Sequence, residues 1–195
     1  MKTMSEKAAK IIRIASLPPF SAAVMFVALI CMRRAMFAGA ADIAVPFAAL
    51  VFIPLLAYPV SMLVSSVRRR GRDGQRALAF VFTFAGYVTG ALYALTARCG
   101  AELRMVFLTY FFSVMLLILA NKALKIKASG HASGVTGPCF FIAAAGGAFI
   151  AVCAAAFLII MWASVKLKRH TVPQFLLGAA CTLVGAGISW CVCFL

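Results

Sequence analysis

The sequence predicts an all-α fold, a polytopic bundle of about six to seven helices in a membrane. Three observations predict it. Hydrophobic residues make up 65% of the 195-residue chain and the mean hydropathy is +1.07, whereas an average soluble domain is about half apolar. The charged residues are gathered into short gaps between apolar blocks. Most of those blocks approach or exceed the roughly 20 residues a helix needs to cross a bilayer.

The first block, 15–32, follows a basic N-terminal segment and is closed by Arg33-Arg34. No small-residue cleavage site follows it, so it reads as a retained membrane helix rather than a signal peptide. The second, 43–67, carries Pro46, Pro54 and Pro59, which kink a membrane helix but are tolerated where neighbours satisfy the freed backbone. "RRRGRDGQR" at 68–76 is too charged to enter lipid, and Gly71 and Gly74 predict a loop. Block 77–97 contains Gly86 and Gly90 at G-x-x-x-G spacing, which fits close helix packing. Block 105–121 follows. The next, 132–165, is too long for one crossing, and Gly146-Gly147 is the natural reversal, giving helices over 132–146 and 148–165. The last block is 171–195. The chain reads as a single transmembrane domain, 1–195, without repeats or a solvated second domain.

The formal net charge is +15, with acids only at Glu6, Asp42, Asp73 and Glu102. Charge placed in the gaps of an apolar chain fits membrane topology and anionic lipid, and no nucleic-acid partner is expected. With seven crossings, most Lys and Arg residues fall on one face, and only Arg33, Arg34, Arg98 and Arg104 fall on the other. The positive-inside rule then places the N-terminus and the richer face in the cytoplasm, in a bacterial-type cytoplasmic membrane. The seven cysteines have no metal-site spacing and read as small buried hydrophobes. No acid lies deep within a predicted helix, which disfavours an ion-coupled transporter.

The chemistry-bearing residues are the two histidines. His131 lies in "KALKIKASGH" and His170 in "KLKRHTVPQ". They are 39 residues apart, roughly 58 Å along one straight helix and far more than a bilayer. A hairpin turning at Gly146-Gly147 instead returns both to one surface, each beside lysines. Two imidazoles among several cations suit a phosphate: cations hold the oxygens, one ring attacks phosphorus and the other protonates the leaving oxygen.

"SGH" followed about forty residues later by "KRHTVPQFLLG" resembles the type-2 phosphatidic acid phosphatase superfamily, a family of helical bundles. The resemblance covers a phosphatase-like core of roughly 77–195. It implies a lipid phosphate or isoprenyl (pyro)phosphate as substrate, a metal-independent phosphatase activity and no cofactor. It makes His170 the nucleophile that forms a phosphohistidine and His131 the general acid. It makes Ser129 and the Gly130 backbone phosphate ligands, with Lys125, Lys127, Lys166 and Lys168 supplying positive charge. The sequence departs from the family at several points. No K-x6-R-P motif precedes "SGH", and Ala128 stands where the family has proline. Ser164 stands where the family has an arginine, six residues before the second histidine, and Gln174 stands for the aspartate that orients it. Gln174 can accept the imidazole N–H but cannot balance an imidazolium. The alternatives are a member that binds anionic head groups without hydrolysis, and a small transporter or structural membrane protein.

Overall fold

The computed structural model describes residues 4–97 and 99–195. Lys2 and Arg98, both part of the charge balance, lie outside the described residues. Among the described residues all regular structure is helical and there is no strand, as expected of an all-α membrane bundle. In chain order the helices are α1 (Met4–Ala15), α2 (Pro18–Met32), α3 (Ala40–Phe47), α4 (Ile53–Leu63), α5 (Ser65–Arg69), α6 (Gly71–Thr96), α7 (Ala101–Ile118), α8 (Gly130–Ala145), α9 (Ile150–Lys166) and α10 (Val172–Phe194).

Five stretches are long and apolar enough to cross a membrane: Ala40–Leu63, Asp73–Thr96, Ala101–Ala123, Gly147–Lys166 and Val172–Phe194. The expected first crossing, 15–32, forms as α2, whose 15 residues are short for a span. α1 and α2 meet at 60°, and they make a sixth span only if counted together. The cause is local: Pro18 and Pro19 open α2 and offer no N–H to the turn before them. α1 is amphipathic and lies against α9.

The second block keeps its direction through its prolines by widening. A π-helical stretch, Ala48–Phe52, sits between Pro46 and Pro54. Pro54 cannot donate a ladder hydrogen bond, and a π turn accommodates the missing bond. The predicted 68–76 loop is a correction. α5 runs to Arg69, α6 starts at Gly71, and only Arg70 separates them. Charge keeps this stretch out of lipid but does not unwind a helix in water. Gly71, at φ +55°, makes the reversal.

The 132–165 hairpin forms with its break at Gly146. Its two helices are antiparallel: Cys139 faces Cys153 near the turn, and Ala132 and Val135 pack with Phe157, Ile160 and Met161 further from it. This pairing carries the start of α8 and the end of α9 to the same face. α8 has only 16 residues, short for a span. It sits inside the bundle, packed by α2, α7, α9 and α10, so most of its surface meets protein. Gly86 and Gly90 do mark close approaches, to the Ala49 backbone and the Phe107 ring respectively.

Candidate phosphate site

Two loops build one end of the bundle, and each closes with a lysine in the left-handed region. α9 ends in a Schellman arrangement: the Arg169 N–H donates to the Ser164 carbonyl at 3.0 Å and the Lys168 N–H to the Val165 carbonyl at 2.8 Å. The left-handed position that favours glycine is held by Lys168, at φ 51°. After α7 the chain passes through a π turn, Leu119–Ala123, and Lys125 takes φ 55°. Asn121 then fixes the next segment. Its Nδ2 donates to the Ala128 carbonyl at 3.3 Å and its Oδ1 accepts the Ala128 N–H at 3.1 Å.

Both histidine segments end in helix caps. Ser129 is the N-cap of α8, its Oγ accepting the Ala132 N–H at 3.2 Å. Thr171 is the N-cap of α10 and forms a capping box with Gln174, whose Oε1 accepts the Thr171 N–H at 3.2 Å. The Ser129 N–H donates to the Gln174 carbonyl at 2.9 Å, joining the two segments.

A cavity of about 390 Å³ opens between them, lined among others by Lys127, Lys168, Arg169, His170, Thr171 and Gln174. No carboxylate lines it. A second cavity, about 290 Å³, lies at the Arg33–Glu102 ion pair, walled by Phe140, Phe141 and Trp190, and has no histidine in its lining.

His170 is half-buried and its Nδ1 is shut off from solvent without a hydrogen-bond partner. Nε2 is therefore the nitrogen left for the cavity. Burial holds its pKa below the ordinary value, and the Arg13 and Lys127 charges add to this. Gln174 is near enough to offset part of that depression, but no hydrogen bond of ordinary geometry reaches Nδ1.

His131 is only 8% exposed and does not line the cavity. Its Nε2 lies 3.0 Å from Ser16 Oγ. Ser16 Oγ already donates to the Ile12 carbonyl at 2.7 Å. A hydroxyl has one proton, so the serine accepts from the ring and His131 carries its proton on Nε2. Arg13, one turn earlier, donates from Nη1 to Ser164 Oγ at 2.9 Å. Its charge bears on both His131 and His170. Arg13 also neighbours Arg76 and Arg169, so four of the cationic stretches converge on one face.

The structure thus brings His170, Lys127, Lys168 and Gln174 to one cavity, whereas His131 is buried and does not line it. Four expected ligands stand elsewhere. Ser129 is fully buried and its Oγ is engaged as a cap. Lys125, Lys166 and Gly130 are exposed outside the cavity wall. Gln174 does not share a helical face with His170, because α10 begins at Val172, after the histidine. Its oxygen is occupied by the capping box. The sequence reading missed Arg13, Ser16, Arg169 and Asn121 as parts of the site. Arg169 adjoins His170 and was legible. Arg13 and Ser16 reach α9 and α8 only through tertiary packing. Fold and site together define an integral-membrane helical bundle with a cationic histidine pocket at one end. No family model, curated protein or solved structure matches the chain.

Proposed function

We propose that this protein is a membrane-embedded phosphatase of a lipid phosphate or an isoprenyl (pyro)phosphate, a divergent relative of the type-2 phosphatidic acid phosphatases. The observation that carries the reading is His170 at the wall of a cavity that also holds Lys127, Lys168 and Arg169 and no carboxylate. Such a cavity favours an anion with several oxygens. It opens where the charged segments meet the apolar spans, so a lipid can present its head group while its tail stays in the bilayer. By the charge balance that end faces the cytoplasm.

In this mechanism the Nε2 lone pair of His170 attacks phosphorus and the bond to the leaving oxygen breaks. With the phosphate balancing the Arg13 charge, His131 takes up a second proton, gives one to the leaving oxygen and returns to the neutral ring; water then cleaves the nitrogen–phosphorus bond. The His131 proton rests on Ser16 in the unliganded protein, which makes Ser16 a positioning residue. Phosphate release from purified protein, assayed across several lipid phosphates without added metal, tests the reading. It requires that His170→Ala and His131→Ala each abolish release.

One observation favours a second reading, in which the pocket binds anionic head groups without hydrolysis. His170 Nδ1 has no partner, and Gln174 offers no negative charge to an imidazolium. In a comparable triad the loss of that charge lowers the rate by about 10⁴. Binding of phosphorylated lipid that Lys127→Ala weakens, with no release by the wild type, selects it.

A further inference from the structure

We infer that Arg13, carried on the N-terminal helix α1, is a phosphate-binding residue of the His170 site, gripping oxygens of the bound phosphate. The inference rests on the phosphate reading above.

Three relationships carry it. Arg13 Nη1 donates to Ser164 Oγ at 2.9 Å, and Ser164 is fully buried, so the guanidinium is seated rather than swinging in solvent. The Arg13 charge bears on both His170 and His131, so the cation stands within electrostatic reach of both rings. One turn on, Ser16 holds His131 Nε2 at 3.0 Å, fixing the end of α1 against α8.

A guanidinium has five N–H donors in a rigid fork. One bond to a serine leaves donors for a second partner. Arg76 bears on Arg13, and Lys127 shares the cavity wall with His170. Cations gathered beside imidazoles favour a multiply charged anion. A phosphate at His170 answers the Arg13 and Lys127 charges, and Arg13 is able to hold two of its oxygens at once.

The α1 geometry adds a consequence. The helix is amphipathic, with Ile11 and Ile14 exposed beside the buried Ala9, and it meets α2 at 60°. It therefore lies across the end of the bundle, where the surface of a bilayer would be. The arginine reaches the site from a helix seated at the lipid surface.

The test uses full-length protein with ¹³C,¹⁵N-labelled histidine in neutral phosphatidylcholine nanodiscs. Inorganic phosphate is titrated in one arm, and phosphatidic acid is incorporated into the discs in the other. A response in both arms marks a site for phosphate as such, and a response to phosphatidic acid alone marks one that needs the lipid. In the wild type the His131 and His170 signals should move together with a common affinity. Arg13→Gln should weaken that affinity by about 10- to 100-fold, the range for a charged hydrogen-bonding partner. Arg13→Lys should fall between, since it keeps the charge and loses the fork. Ser164→Ala, which frees the guanidinium without removing it, should cost less than Arg13→Gln. Arg33→Gln, at the second cavity, should match the wild type. A purely structural Arg13 would lower thermal stability while the folded protein kept wild-type affinity, and that result overturns the inference while leaving the phosphate reading standing on Lys127→Ala. A wild type whose ring signals respond to neither probe overturns both.

Discussion

The Ser129 backbone N–H donates to the Gln174 carbonyl at 2.9 Å, so the segment before α8 and the first turn of α10 share one hydrogen bond. The contact is close enough to constrain the next turn of α10. A Cβ on Gly178 would overlap the Ser129 carbonyl oxygen. Gly178→Ala should therefore destabilise the protein by about 1–3 kcal/mol, the usual range for overpacking, and weaken phosphate binding by parting the two histidine segments. Gly187→Ala, on the same helix with open space around it, should do neither. Thermal unfolding in detergent, with phosphate titration of each variant, checks the pair.

Lys168 gives a prediction with opposite signs. Its φ of 51° is a conformation glycine adopts freely and other residues at a cost of order 1 kcal/mol. Lys168→Gly should raise stability by up to about that amount and at the same time weaken binding of phosphorylated lipid. A variant that lost both would mean the lysine holds the fold rather than the ligand. Parallel melting and lipid-binding curves decide it.

The pH response follows from His170. Burial, then the Arg13 and Lys127 charges, depress its folded-state pKa below 6.5. The unfolded chain therefore binds the proton first as pH falls through about 6.5. Stability owed to this group is unaffected above that value and declines below it, until the folded ring also protonates. Between about pH 7.5 and pH 5.5 the wild type should lose more stability than His170→Ala. A bound phosphate reverses the electrostatics, so the NMR titration midpoint of His170 should rise on adding it.

Gln174→Glu separates the two functional readings. Glutamate suits the same capping-box position, so α10 should start unchanged at Val172. The added carboxylate stabilises a protonated His170, raising its pKa. If the site hydrolyses, turnover should increase by roughly tenfold or more, a modest part of what an orienting carboxylate supplies elsewhere. If the site only binds, anion affinity should fall and no phosphate should appear. Release assays and binding assays on the same preparation check this.

Much of this was legible from periodicity and punctuation. The apolar blocks located the five spanning stretches, and Gly146-Gly147 located the hairpin that returns His131 toward His170. The prolines of the second block located strain but not its form: Pro46 and Pro54 bracket a π stretch. Pro18-Pro19 sets α2 at 60° to the helix before it. The site was legible in part. His170, Lys127 and Lys168 follow from local composition. Ser129 was placed correctly at a helix start, yet a cap uses its own oxygen, which composition does not reveal. Arg13 and Ser164 are 151 residues apart, and nothing in either segment announces the other. Their meeting depends on the 60° bend between α1 and α2, a tertiary outcome.

The central claim is that His170 handles the phosphate of a membrane lipid. Its most direct test is metal-free phosphate release from a panel of lipid phosphates and isoprenyl diphosphates by the wild type and His170→Ala. The account predicts release by the wild type on at least one substrate and none by the variant, with phosphorylated lipid still bound by both. Release that persists in His170→Ala, or a wild type that neither releases nor binds any of them, would contradict it.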